Sequence, residues 1–322
     1  MDLETLKPKR RSHLNRRAME KGVMITERDI LDIFEPLSRH AQLTTSQLVA
    51  YGRRYPTITK ARLGELWHAT SDERTHWLHR LNEDIAFANH LVTEDFHRIG
   101  VEAELLIRSQ GVVPNEDWVV ATRIGGRSTA PSRIIRLAHD HLVSEIVLDI
   151  EIEARAKDAI FRSHLDILRD APEATRAAKR PLQIPVTLNG QKSFVEPDAL
   201  FAIAKQVYAL EVDRGTESIH TIIAQKIIAY REIVAACVID EWLGIDKLTV
   251  LFAIPNETRM KNIMRELEQI AHNGKSAMFG FLVVREFGPS PVGVKSGNKF
   301  ATQPWLRQGL DPIILMQCLA VG

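Results

Sequence analysis

The chain has 322 residues, 45% of them hydrophobic and 26% charged, with a formal net charge of +1. That leaves room for one large domain or two ordinary ones and excludes a polycation, so any nucleic-acid contact must rest on local charge. Two cysteines, Cys237 and Cys318, are too few for a disulfide framework or a Cys-rich zinc site and fit a reducing, cytoplasmic setting. No run approaches the roughly eighteen apolar residues of a membrane span, and the N-terminus lacks the apolar stretch of a signal peptide, so no membrane partner is expected.

Residues 1–22 are read as a basic arm. Arg10, Arg11, Arg16 and Arg17 stand out there against few acids, and such arms follow phosphate backbones. Residues 23–130 are read as a winged helix-turn-helix. Ile30, Ile33, Phe34 and Leu37 form one helical stripe. Thr44 and Thr45 offer caps for a second helix carrying Leu48 and Val49. Thr70 with Glu73 three residues on is a capping-box pattern and predicts a third helix beginning near Ser71. Its buried face would hold Trp77, Leu78, Leu81 and Ile85. That leaves His76, His79 and Arg80 largely outward, with Arg74 at the border, as candidates for duplex DNA in the major groove. The same spacing also describes a plain helical bundle with a polar outer face. The stretch 52–69 is read as an interruption between the second and third helices. "DWVVATRIGGRS" reads as a strand and a turn, either a wing or a connector.

Residues 131–322 read as a second domain, a mixed β-sheet flanked by helices, so that the whole is α/β in the α+β sense. A long amphipathic helix is predicted over 132–155 and a polar, proline-bounded loop over 168–181. "LQIPVTL" is a strand closed by Asn189-Gly190, a hairpin signal. "SFVEPDALFAIA", "QVYALEVD", "KLTVLFAI" and "AMFGFLVVREF" are the next strands. Helical patterns over "SIHTIIAQKIIAYREIVAA" and "ETRMKNIMRELEQIAH" separate the last three.

Three carboxylates lie among these apolar strands, and a buried charge is costly unless paired or metal-bound. A hairpin turning at Ala204-Lys205 pairs residues whose numbers sum to 409, which sets Asp198 opposite Glu211. Opposed Cβ atoms lie about 4.5–5.5 Å apart, so the two carboxylates repel unless a cation lies between them. Asp213 falls on the same face as Glu211. Lys226 and Tyr230, four residues apart on the following helix, share a face that packs back toward the sheet. This set suits phosphodiester chemistry with Mg²⁺ or Mn²⁺ held by Asp198 and Glu211, Asp213 assisting, and Lys226 stabilising charge. Tyr230 either positions the phosphate or water or acts as a nucleophile. Glu145, on the long helix, is a further candidate contact. The plainer alternative is a set of strand-end carboxylates paired with arginine, Arg214 on Asp213.

"LAHDHLVSEI", "PDALFAI", "YALEVDRGTES", "KIIAY" and "LFAIPNETRMKNI", in that order, resemble the replication-relaxation family of plasmid and integrative-element proteins, which includes MobC-type mobilisation proteins. The resemblance implies a winged helix joined to a restriction-endonuclease-like domain of the PD-(D/E)XK type. Pro197-Asp198 corresponds to its first acidic motif and Glu211 to its second acid. Asp213 stands where a lysine is expected, with Lys226 as the migrated lysine. The same resemblance implies a relaxase that nicks double-stranded DNA at a transfer origin, with other relaxosome or coupling proteins as partners. The alternative is a non-catalytic accessory or regulatory DNA-binding protein on the same fold.

Overall fold

The computed structural model describes residues 22–69, 76–80, 96–113, 130–284 and 300–317. Its chain divides into two compact units, 1–148 with 288–298, and 149–287 with 299–322. The division falls inside the helix Ala130–Ala156, which covers the predicted long helix.

The first unit begins with a helical run whose middle, Ile30–Phe34, is a π-helical turn between Glu27–Asp29 and Glu35–Arg39. Then come strand β1 (Leu43–Thr44), the helices Thr45–Tyr51 and Pro56–His68, strands β2 (Leu78–Arg80) and β3 (Phe96–Ile99), and the helix Val101–Ser109. The strands form an antiparallel sheet ordered β1-β3-β2. Thr44 caps the second helix reciprocally with Gln47. Pro56 opens the third, where its missing N–H costs nothing.

One buried ion cluster fastens the first helical run to the third helix. The Asp29 carboxylate is 0% exposed. It accepts from Arg62 Nε at 3.0 Å and Nη2 at 2.7 Å, from Arg54 Nη1 at 2.8 Å and from the Thr26 N–H at 2.8 Å. Burial alone would raise this carboxyl, but the bonds from Arg62, Thr26 and Arg54 outweigh it and hold it at about 2.

Two expectations are corrected here. The stretch read as an interruption, 52–69, contains the helix Pro56–His68. The helix predicted from Ser71 does not run through 76–80: its start lies outside the described residues, and Leu78–Arg80 is strand, with Leu78 opposite Ile99 and His79 opposite Arg98. A buried Leu78 beside an exposed His79 fits a strand's two-residue alternation as well as a helical stripe.

The second unit is built on a seven-stranded sheet ordered β12-β11-β10-β9-β8-β7-β4. Its members are β4 (Phe161–Ser163), β7 (Ala199–Ile203), β8 (Gln206–Val212), β9 (Leu248–Ile254), β10 (Phe279–Val283), β11 (Trp305–Arg307) and β12 (Leu310–Ile313). β8, β9 and β10 run parallel, and the outer pairs are antiparallel. The helices Ala224–Ala235 and Val238–Leu243 link β8 to β9, and Glu257–Ile270 links β9 to β10. The central strands are apolar almost throughout, as a sheet covered on both faces requires. Phe161, Phe201 and Tyr208 stack across three neighbouring strands at 5.9 and 5.5 Å. Phe252, Phe279 and Phe281 are fully buried on the opposite face, and Trp305 is fully buried on β11.

A separate two-stranded ribbon, β5 (Ile184–Leu188) with β6 (Gln191–Val195), turns at Asn189-Gly190, both in the left-handed region as a tight hairpin needs. "SFVEPDALFAIA" is therefore two strands, β6 and β7, divided at Pro197, whose ring removes a ladder donor. The loop predicted over 168–181 is also corrected. The helix His164–Asp170, capped by Ser163, enters it, and a short helix Glu173–Ala177 follows Pro172.

Gly100 is placed tightly in the first unit. A Cβ there would lie 2.2 Å from the His76 carbonyl oxygen and 2.5 Å from the Trp77 carbonyl carbon. Both are backbone atoms of the β2 approach. Gly100→Ala should lower stability by about 1–3 kcal/mol, read as a shift in the first unit's urea midpoint. A midpoint unchanged from the wild type would contradict this packing.

Candidate functional site

The β7–β8 hairpin has the expected register. Ala199 faces Leu210 and Ile203 faces Gln206, with Ala204-Lys205 as a two-residue turn. Continuing that ladder by one residue sets Asp198 against Glu211. Asp198 is half-buried, and its Oδ2 accepts the Val212 N–H at 2.7 Å, which pins the carboxylate to the partner strand.

Glu211 lies next to the last residue of β8, near the carboxyl end of the parallel strands, where α/β sheets place their ligands. It is 2% exposed. Lys226 Nζ donates to its Oε2 at 3.0 Å, and Tyr230 Oη donates to its Oε1 at 2.6 Å. Both donors come from the helix Ala224–Ala235, one turn apart. Lys226 also reaches Glu217 Oε2 at 3.3 Å.

The electrostatics reflect this packing. Burial, and then the facing Asp198 charge, push the Glu211 carboxyl up to about 7, against the opposing pull of Lys226 and Tyr230. Burial would lower the Lys226 ammonium, but Glu211, Asp198 and Glu217 outweigh it and hold it above its ordinary value. Burial and the Glu211 charge raise the Tyr230 phenol well above its ordinary value, so it stays a donor.

Four of the expected residues thus form one cluster: Asp198, Glu211, Lys226 and Tyr230. Glu217 joins it through Lys226. The sequence signal for Glu217 is its place at the foot of the same helix, nine residues before Lys226. Asp213 is engaged elsewhere. Arg259 grips it in a bidentate ion pair, through Nε to Oδ2 and through Nη2 to Oδ1 at 2.9 Å, and the Gly215 N–H reaches Oδ1 at 2.8 Å. Arg259 also bonds the Glu217 carbonyl, so Asp213 anchors the loop that delivers Lys226. The arginine is Arg259 from the β9–β10 helix, not the adjacent Arg214. Asn256 caps that helix through the Arg259 N–H and so fixes the guanidinium's starting point. Glu145 lies on the helix Ala130–Ala156, 3.8 Å from His141.

The expected DNA contacts fall differently. Arg10, Arg11, Arg16, Arg17 and Arg74 lie outside the described residues. His76 is buried and touches the His79 ring, which corrects its outward placement: on a strand approach it turns inward. His79 is exposed, and the Arg80 guanidinium lies 5.5 Å over the Trp67 ring. Among the described residues, no group of three or more His, Cys, Asp or Glu side chains is arranged to hold a metal, and no helix is long and apolar enough to cross a membrane.

The replication-relaxation family model matches residues 98–241. The segment similar to that family contains Asp198, Glu211, Lys226 and Tyr230. No curated protein and no solved structure matches.

Two measurements test the cluster. The Glu211 carboxyl should titrate near pH 7 by carbon-detected NMR, and higher still in Lys226→Met, which removes its nearest cation. Between its ordinary range and pH 7 the native state binds a proton that the unfolded chain does not, so stability falls as pH rises through that window. Glu211→Gln should flatten that slope. Asp213→Ala should cost about 3–5 kcal/mol, since it leaves the largely buried Arg259 without its partner. A loss below 1 kcal/mol in thermal unfolding would show the pair to be a surface contact.

Proposed function

We propose that this protein binds double-stranded DNA and nicks one strand at a transfer-origin-like site, using a divalent ion, Mg²⁺ or Mn²⁺, held by Asp198 and Glu211. The observation that carries the reading is the Glu211 carboxylate, buried at a strand end and facing Asp198, with Lys226 and Tyr230 on it. The donor set fits a hard cation. Two carboxylates suffice for Mg²⁺ when waters and a phosphate oxygen complete the shell. Each Glu211 oxygen has spent one lone pair, and Asp198 Oδ2 accepts from the Val212 N–H. The mutual repulsion that raises Glu211 is the charge a cation would relieve.

When bound, such an ion lowers the pKa of an attacking water and polarises the phosphate. The chain's own residues do the rest. Lys226 offers a positive charge to the phosphate as it becomes more negative. Tyr230, kept protonated, donates a hydrogen bond and fixes the Glu211 rotamer. Asp213 and Arg259 hold the loop that sets the height of the Lys226 helix.

The first unit supports the DNA-binding half. Among the described residues, the order of helix, strand, helix, helix, strand, strand is compatible with a winged helix-turn-helix. The groove-entering element is then Pro56–His68, in place of the helix expected from Ser71. Thr57, Ile58, Lys60 and Ala61 are exposed on it, after exposed Arg53 and Tyr55.

On a supercoiled plasmid carrying the origin, Mg²⁺ should yield nicked circles. Asp198→Asn and Glu211→Gln should abolish nicking while duplex binding persists. Lys226→Ala should slow it by about 10²–10³-fold. Protons and Mg²⁺ should compete for Glu211, so the pH midpoint of the rate should fall as Mg²⁺ is raised. Lys60→Ala should lower the salt slope of duplex binding by about 1. Wild-type nicking by both carboxylate variants would end the proposal. A second reading, a non-catalytic accessory protein, draws on one observation: both Glu211 oxygens are already bonded and Asp213 is committed to Arg259. It expects salt-dependent binding and no Mg²⁺-dependent cleavage on any origin.

A further inference from the structure

The β5–β6 ribbon presents two unlike faces. Cross-strand partners lie on the same side of an antiparallel pair. Ile184 with Val195, and Val186 with Ser193, form one side, on which Ile184, Val186 and Val195 are buried. Pro185 with Phe194, and Thr187 with Lys192, form the other, and all four are exposed. Phe194 is 56% exposed, in a sheet position that commonly buries an aromatic. The adjoining chain is rich in basic residues. Arg176, Lys179 and Arg180 are exposed in the segment that enters β5, and Lys192 lies two residues from Phe194, against exposed Glu173 and Glu196. The Gln183 amide donates to Glu196 at 2.8 Å and so shares that charge at the ribbon's base.

The ribbon leads straight into the proposed site. Phe194 is four residues from Asp198, a reach of at most about 14 Å. From the tip, the face offers a cation and then a flat apolar ring, and the site carboxylate follows four residues on in the chain. An extended strand spaces Lys192 and Phe194 by about 7 Å, on a two-stranded element closed by a tight turn. An exposed ring next to a lysine matches the way proteins hold single-stranded nucleic acid, with bases stacked on aromatics and phosphates on basic side chains. A stacked ring needs the face of a base, which a duplex conceals.

We propose that the outer face of the β5–β6 ribbon holds an unpaired DNA strand, with Phe194 stacked on a base and Lys192 on a neighbouring phosphate. This rests on the nucleic-acid reading above and adds where the strand beside the cleaved bond is held. The test uses the full chain, without divalent metal, and a fluorescent oligothymidine, alone or paired with oligoadenine. Phe194→Ala should weaken binding of the unpaired strand by roughly ten- to a hundredfold, and Phe194→Trp should restore it. Lys192→Ala should lower the single-strand salt slope by about 0.7. Duplex binding should change little in all three, and their thermal midpoints should match the wild type, as exposed side chains allow. The proposal is overturned if Phe194→Ala binds the strand as tightly as wild type, if strand and duplex weaken equally, or if the substitution instead dissociates a protein oligomer. The arms are independent of cleavage. Nicking that depends on Asp198 while Phe194→Ala binds normally would sink the ribbon and leave the nuclease reading. Phe194-dependent strand binding with no cleavage would do the reverse.

Discussion

Glu211 holds a carboxyl group almost wholly buried, and it does so because a lysine and a tyrosine one helical turn apart both point at it. That arrangement constrains much of the second unit. It requires β8 to end where the helix Ala224–Ala235 can lie over it, and β7 to keep a register that brings Asp198 alongside. It also requires the loop between strand and helix to be anchored, which the Asp213–Arg259 pair accomplishes from the next helix. A buried ion pair of this kind is poor evidence of stability, because desolvation offsets its attraction. Perturbed carboxyls of this sort concentrate at functional sites.

The hairpin and its helix are legible in the sequence for a simple reason. Periods of two and of 3.6 residues determine which side chains share a face, so Asp198, Glu211, Lys226 and Tyr230 can be placed by counting. The long helix over 130–156 and the strands of the parallel core are equally open to that count. Other elements escape because counting cannot see what sustains them. β4 is three residues long and exists because β7 offers it an edge. The helices around Pro172 are polar and brief, and tertiary packing rather than pattern sustains them. Pro56–His68 hides from the pattern because exposed Tyr55 and Ile58 break its apolar stripe. The segment at 76–80 misleads because three residues cannot distinguish a strand from a helix, and the capping pattern at Thr70 tilts the choice.

Asp213 shows the same boundary between local and distant information. The sequence offers Arg214 as its neighbour, and adjacency makes that pairing natural. The actual partner lies 46 positions along the chain, on a helix whose cap directs the guanidinium back across the strand ends. Nothing in the spacing reveals this, because it depends on the parallel order of β8 and β9. With it, a residue that looks like a third site carboxylate becomes the anchor for the other two elements.

The entry to the Ala224–Ala235 helix bears on how this site tolerates change. Ile219–Ile223 is wound as a π-turn, one residue wider than the turns beyond it. Each residue of an α-helix advances its neighbours by about 100°, so the surplus residue sets the azimuth at which Lys226 and Tyr230 leave the axis. Tightening that coil to regular pitch would swing both side chains off the glutamate and present an aliphatic flank to it. The wide turn therefore works as an aiming device, and the length of this short segment, more than its composition, is what evolution would find hardest to alter.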